Sequence, residues 1–162
     1  EYFENKEKLD LDLNFHMSKG NISKADFAKN LVKAHIEKAK HNLELTDILK
    51  DKKGFNDWIV ISLYYTLYHA SLALLANKGF LSKNHTATLL FLIKNYSFNY
   101  EEIRLIEDLS ITKSDAEFYA DLKKERRDAS YSTNILFSDE KMKELKIKTI
   151  DFLNKCEAIL EK

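Results

Sequence analysis

The chain has 162 residues, which suits one domain and is long enough to bury a core without disulfides. Its 26 basic and 26 acidic residues balance, which excludes a global field for nucleic acid and requires a local patch for any such binding. The only cysteine, Cys156, excludes an internal disulfide, and residues 1–19 lack the apolar stretch of a signal peptide, so we expect a cytoplasmic protein.

The first 20 residues have an ambiguous pattern. Apolar and polar residues alternate there, with apolar side chains at Leu9, Leu11, Leu13, Phe15 and Met17. This is the period of a strand, although Leu9, Leu13 and Met17 also fit one face of a helix. Because no partner strand is evident, we expect residues 1–20 to form a short helix or an ordered arm, followed by a bundle domain at 21–162.

The rest of the sequence is typical of long helices. It contains no proline and only three glycines, and capping signals recur at Ser23 with Asp26, Asn99 with Glu102, Ser114 with Glu117, Ser138 and Gly79. Together these signals predict helices near residues 23–51, 56–78, 83–95, 99–110, 114–131 and 138–161. We expect an all-α fold, an antiparallel up-down bundle of four to five main helices.

One segment carries no charge over twenty positions, from Trp58 to Asn77. A helix that is apolar on nearly all sides must be buried on nearly all sides. The segment is also long enough to cross a bilayer, but its tyrosines, serines and histidine suit lipid poorly, and amphipathic neighbours are available to cover it. We therefore expect the central helix of a soluble bundle and no membrane span.

The middle of this segment is polar. Ser62, Thr66 and His69 follow one another at i, i+4 and i+7, and Tyr65 lies four residues before His69. In a structural interpretation, the hydroxyls bond back to their own helix and His69 is a satisfied core histidine. In a functional interpretation, the same residues line a cleft at mid-height.

The histidine spacing does not indicate a metal site. The five histidines are His16, His35, His41, His69 and His85, and no two lie three or four residues apart on one helix. Three isolated glycines cannot build a phosphate loop. We expect no metal and no cofactor.

The last predicted helix has a seam of heptad-like spacing. Its members are Met142, Leu145, Thr149, Phe152, Cys156 and Ile159. Such a seam favours a symmetric homodimer, which is our expectation. The alternative is that the seam closes the bundle of a single protomer.

A charged run ends the predicted helix 114–131. Lys123, Arg126 and Arg127 fall within about one turn there, where cations complement the helix dipole. A solvated charged face is the ordinary interpretation of such a run. Arg126 and Arg127 diverge by about 100° around the helix, so at most one of them faces a cleft.

Several of these segments together resemble the HEPN superfamily of helical bundles, in particular the small prokaryotic and archaeal branch found beside minimal nucleotidyltransferases. That branch shows a tyrosine-rich helix with "YHA…ALL…G", then "(S/N)H", then "R…A.Y". The matching residues here are Tyr64, Tyr65, Tyr68, His69, Ala70, Leu74, Leu75, Gly79, His85, Arg126, Ala129 and Tyr131.

The resemblance implies a functional site, but this sequence departs from the family pattern at that site. Ribonuclease members carry an arginine followed four to six residues later by a histidine, and two such motifs meet across a homodimer cleft that cuts RNA without metal. Here the match to the arginine is Arg126, or less well Arg127, but the fifth residue after Arg126 is Tyr131 and no histidine follows His85. Tyrosine is a poor general base at neutral pH, which leaves His69 as the replacement if the fold brings it near.

We therefore expect Arg126, Tyr131 and His69 as candidate catalytic residues, and Arg127, Tyr65 and Lys123 as candidate ligand-binding residues. The resemblance implies a dimeric protein of toxin–antitoxin type that binds a nucleotide or RNA, or that partners a nucleotidyltransferase. One alternative is a metal-independent endoribonuclease toxin that uses Arg126 with Tyr131 or His69. A second alternative is a structural interaction subunit without a ligand.

Overall fold

A computed structural model describes residues 1–52, 54–125 and 138–162, with the side chains of Thr112 and 115–125 left out. The described chain is an all-α bundle, as predicted, and it also contains one small sheet that was not predicted. Its elements are α1 Lys6–Ser18, β1 Ile22–Lys24, a 3₁₀ turn Ala28–Leu31, α2 Val32–Leu49, α3 Asn56–Asn77, β2 Phe80–Ser82, α4 His85–Asn95, α5 Tyr100–Glu125 and α6 Asp139–Leu160.

The uncharged helix α3 is the centre of the bundle. It packs against α2, α5 and α6, and its apolar side chains supply much of the core. α2 runs antiparallel to α3, since residues 50–55 join the two helices and His35 near the start of α2 contacts His69 in the second half of α3. α6 runs antiparallel to α2 and therefore parallel to α3, since its Lys146 pairs with Asp47 and its Glu157 pairs with Lys40. Accordingly, Asn56 at the start of α3 donates a 2.9 Å hydrogen bond to Asp139 at the start of α6. α3 is long and apolar enough to cross a membrane, but 78% of its most apolar window is buried inside the protein, which is consistent with a core helix of a soluble protein.

The N-terminal segment forms a helix that packs on the bundle. Leu9 and Leu13 of α1 are buried in the main core, and α1 contacts α4. The period-two pattern there does not correspond to a strand, because the alternate residues Leu11 and Phe15 face solvent.

The predicted start of a helix at residue 23 is wrong. Residues 22–24 form strand β1, which pairs antiparallel with β2, and α2 begins only at Val32. Ile22 is 1% exposed, so a buried side chain and the backbone ladder together outweigh the weak capping signal of Ser23 and Asp26. Gly79, at φ 81°, turns the chain from α3 into β2, as the C-cap pattern predicted.

The predicted break between residues 110 and 114 is also wrong, because α5 is one continuous helix from Tyr100 to Glu125. The Ser114 hydroxyl donates to the Ser110 carbonyl one turn back (3.1 Å) instead of capping a new helix. The capping box at the start of α5 is confirmed: the Asn99 amide donates to the Glu102 carboxylate (2.8 Å) and the Glu102 amide donates to the Asn99 side chain (3.0 Å). The predicted end of this helix, at 131, lies outside the described residues.

The heptad-like seam of α6 faces the interior of its own protomer. Met142, Leu145, Thr149, Phe152 and Cys156 are buried, and Ile159 packs against the same core. The seam therefore closes the monomer's bundle, which is the alternative to a dimer interface. A homodimer remains a prediction based on the family resemblance alone.

Candidate functional site

The polar middle of α3 reaches the surface along one stripe. Tyr65, Tyr68 and His69 are half-buried, whereas the other three sides of α3 face α2, α5 and α6. Side chains from three neighbouring helices surround this stripe. We refer to the cluster as the tyrosine–histidine surface, and its members are His35 of α2, Tyr64, Tyr65, Tyr68 and His69 of α3, His85 of α4 and Lys113 of α5.

The hydroxyls of Ser62 and Thr66, which belong to the polar stripe predicted from the sequence, have a structural role. Ser62 donates to the Trp58 carbonyl (2.8 Å) and Thr66 donates to the Ser62 carbonyl (2.9 Å), both one turn back in α3. These bonds satisfy buried hydroxyls within their own helix. The structural interpretation is therefore confirmed for Ser62 and Thr66, and it leaves Tyr65 and His69 as the candidates on α3.

His69 contacts a second histidine, His35 of α2, which lies 34 residues earlier in the sequence. The two Nδ1 atoms are 3.1 Å apart, so one imidazole donates its Nδ1–H to the lone pair of the other, and the two rings are opposite tautomers. Burial lowers the pKa of His69 to about 4, with smaller contributions from the nearby His35 and Lys38. Burial also lowers the pKa of His35. Both rings are therefore neutral at pH 7.

On the other side of the stripe, Tyr64 and Tyr68 contact His85, the first residue of α4. The Tyr64 hydroxyl lies 3.2 Å from Nδ1 of His85, and the rings of Tyr68 and His85 stack with centroids 6.3 Å apart. Tyr64 and Tyr68 stack on each other at 5.7 Å with an interplanar angle of 10°. The result is a connected layer of aromatic rings that runs from α3 to α4.

Lys113 of α5 brings a cation to this aromatic layer. Its ammonium lies 5.3 Å from the ring centroid of Tyr64 and 5.3 Å from that of Tyr65, within the range of a cation–π contact. Burial and the charge of Lys113 both lower the pKa of His85. Lys38 lowers the pKa of His69 and Lys113 lowers that of His85, so two cations act on the described part of this surface, and their charge favours an anion there.

A groove elsewhere on the protein lacks this positive bias. It has a volume of about 560 Å³ and lies between α5 and α6, and its charged lining consists of Glu101, Glu102, Arg104, Asp108, Lys141, Lys148 and Asp151. Acidic side chains outnumber basic ones in that lining, which disfavours a polyanion. The charges of the two places therefore favour the tyrosine–histidine surface over this groove as a site for an anionic ligand.

The structure brings two of the six predicted site residues together, His69 and Tyr65, with ring centroids 6.4 Å apart. The backbone of Lys123 is in α5, ten residues after Lys113, and its side chain is not among those described. Arg126, Arg127 and Tyr131 lie outside the described residues. The grouping of Arg126 and Tyr131 with His69 therefore remains a prediction.

Five residues of the surface were not among the predicted site residues, and two of these, His35 and Lys113, also lie outside the family motif. His35 was considered only for its spacing to other histidines on the same helix, whereas its partner lies on the adjacent antiparallel helix. Lys113 stands in the short stretch that was expected to separate two helices. Only the register of α2 and α5 against α3 shows that these residues meet, and a single sequence does not determine that register.

Comparison of the chain with models of known protein families, with curated proteins and with solved structures found no match. The HEPN resemblance therefore depends on the motif residues alone. Within residues 1–52, 54–125 and 138–162, no group of three or more His, Cys, Asp or Glu side chains is placed to hold a metal ion.

Proposed function

We propose that the protein binds single-stranded RNA or a nucleotide at the tyrosine–histidine surface. The observation that carries the proposal is the position of Lys113, whose ammonium lies 5.3 Å from the rings of both Tyr64 and Tyr65 beside a half-buried aromatic layer. Proteins that bind single strands combine aromatic rings, on which bases stack, with cations that pair with phosphates. This surface offers both kinds of group.

Tyr65 and Tyr68 are the rings of this surface that are placed to stack on a base. Tyr64 is 7% exposed and belongs to the core, whereas Tyr65 and Tyr68 are more accessible. Burial raises the pKa of Tyr68, so it presents a neutral phenol at pH 7. The neutral imidazoles of His69 and His85 add further flat surface and hydrogen-bonding atoms without negative charge.

The test is a binding titration of a fluorescent single-stranded RNA and of ATP with wild-type protein and Tyr65→Ala. Loss of one stacking ring should weaken binding by roughly 1–3 kcal/mol, about 5- to 150-fold. The matched control is Phe15→Ala, since Phe15 is an exposed ring with a lysine, Lys19, 5.7 Å from its centroid, on a different helix. Equal binding by the two variants would contradict the proposal, as would no binding by wild-type protein.

Salt dependence supplies a second measurement. Replacing Lys113 with alanine should weaken binding similarly for all sequences and reduce the slope of log K against log salt by about one charge. The melting temperature of each variant shows whether its fold is intact. An unchanged slope would assign Lys113 a structural role against the tyrosine rings.

A second candidate function is metal-independent RNA cleavage, and the His35–His69 contact favours it. His35 contacts Nδ1 of His69 and orients its ring, as an orienting residue does for a catalytic base, and burial, which lowers the pKa of His69, keeps that ring unprotonated at pH 7. RNA cleavage in excess EDTA that is lost in His69→Ala, and kept in the exposed His41→Ala, would select this function over binding alone.

On the basis of the resemblance, we also propose that the protein is a cytoplasmic HEPN protein, that it forms a homodimer, and that it serves in a toxin–antitoxin pair with a nucleotidyltransferase. Light scattering at tens of micromolar protein measures the oligomeric state. Proteins and nucleotides that copurify with the untagged native chain identify a partner. A monomeric mass with no companion would leave RNA or nucleotide binding as a property of the single protomer.

A further inference from the structure

The contact between His35 and His69 sets two imidazole nitrogens at a separation that fits two ligands of one metal ion. The two Nδ1 atoms are 3.1 Å apart and belong to α2 and α3, which pack along most of their lengths. Nitrogen ligands bind Zn²⁺ at about 2.0–2.1 Å, so two of them on one ion lie about 2.9 Å apart at a right angle and about 3.3 Å apart at a tetrahedral angle. The observed separation falls between these two values.

We propose that His35 and His69 together bind a divalent transition metal ion of the Zn²⁺, Ni²⁺ and Cu²⁺ group, held between α2 and α3. Imidazole suits these ions, whereas Mg²⁺ and Ca²⁺ prefer oxygen ligands. The proposal concerns binding by these two side chains and is independent of the proposed RNA function.

The protonation states in the structure suit this role. Metal ligands must be unprotonated, and both rings are neutral at pH 7. One ring carries its proton on Nδ1, where the metal would bind, so that proton moves through water to Nε2 of the same ring. The other ring already has a free lone pair on Nδ1. Binding therefore requires one change of tautomer and a rotation of both rings, which turns each Nδ1 atom from the other nitrogen to the ion, with no net release of protons.

The surroundings of the two histidines determine which other ligands the ion would bind. Two imidazoles leave further coordination positions open, and both side chains are half-buried, so water can reach them. Lys38, whose charge lowers the pKa of His69, adds a positive charge near the site. This charge opposes the cation and favours an anionic co-ligand, such as hydroxide or a phosphate oxygen, which would offset it.

The test uses the full chain without an affinity tag, freed of metal with EDTA and dialysed into a non-chelating buffer at pH 7.5. Calorimetric titrations with ZnCl₂, NiCl₂ and CuSO₄ should show one site per chain, and MgCl₂ should show none. His35→Ala and His69→Ala should each weaken binding by at least the roughly 10- to 100-fold that loss of an outer-shell partner costs, because each removes a ligand. The control His41→Ala removes an exposed histidine of α2 and should bind as wild type does.

A measurement on the wild-type protein keeps the test decisive if either variant fails to fold. The electron paramagnetic resonance spectrum of the Cu²⁺ complex should show coupling to two imidazole nitrogens. Coupling to one nitrogen or none would overturn the proposal. So would failure of all three ions to bind in the calorimetric titrations, or undiminished binding by the His35→Ala or His69→Ala protein.

Discussion

The hydroxyl of Tyr64 lies 3.2 Å from Nδ1 of His85, and this contact fixes the first residue of α4 to the middle of α3. The two residues are 21 apart in the sequence and belong to two separate motifs of the HEPN-like pattern. Asn84 caps α4 by accepting a 2.9 Å bond from the Ala87 amide, so the start of that helix is set locally as well. Two short sequence motifs thus meet on one surface of the folded chain.

The first prediction concerns the core. Leu67, at the centre of α3, is fully buried, and Leu67→Ala should lower the free energy of unfolding by roughly 2–5 kcal/mol because it leaves a cavity. Urea denaturation followed by circular dichroism measures the change. The control Leu11→Ala, at a side chain that is 63% exposed on α1, should stay within about 0.5 kcal/mol of wild type. Similar losses in both variants would contradict the central position of α3.

The fold was largely predictable because its strongest signals are local. Twenty uncharged positions require a buried helix, and the seam of α6, the capping box at Asn99 and the turn at Gly79 each depend on residues close in sequence. The strand pair β1–β2 was missed because neither strand pairs with a sequence neighbour, and three residues are too few for a periodic pattern. The continuity of α5 was missed because Ser114, in the middle of the helix, has an acidic residue three positions later, Glu117, as a serine that caps the start of a helix often does.

The site was predictable only in part, for a different physical reason. His69 and Tyr65 lie on one face of one helix, so their proximity follows from spacing along α3. His35 and Lys113 reach the same surface from α2 and α5, and their contacts depend on how far each helix is shifted along α3. That shift is set by packing across the whole bundle.

The second prediction is a loss of stability in mild acid. Burial lowers the pKa values of His35, His69 and His85 from the ordinary 6.5, so between pH 6.5 and about 4 the unfolded chain binds more protons than the folded chain. The stabilisation from these neutral rings is complete above pH 6.5 and is lost as the pH falls toward about 4. Lys38 and Lys113 strengthen the effect, because each repels a protonated ring.

Urea midpoints measured from pH 7.5 to pH 5 in EDTA check this prediction, with a lower midpoint expected at pH 5. His69→Gln should reduce the difference, since it removes the ring with the lowest pKa. His41→Gln, at an exposed position of α2, should leave the difference unchanged. A midpoint that is constant or rises toward pH 5 in wild-type protein would refute the assignment of neutral, buried imidazoles.

The third prediction concerns Arg126, which lies outside the described residues and is the arginine that the HEPN resemblance marks as functional. If Arg126 binds phosphate through its planar fork of donors, Arg126→Ala should weaken RNA or nucleotide binding while the melting temperature stays nearly unchanged. If it instead anchors a buried ion pair, the same substitution should cost about 3–5 kcal/mol of stability.

A second arginine serves as the control for this substitution. Arg104 in α5 is exposed and forms an ion pair with Asp108 one turn away, at 3.4 Å, so Arg104→Ala should change stability by less than about 1 kcal/mol. Because each variant loses one positive charge, any non-specific loss of RNA affinity should be equal in the two. A greater loss in Arg126→Ala at unchanged stability therefore measures a specific contact, and equal losses would remove Arg126 from the site.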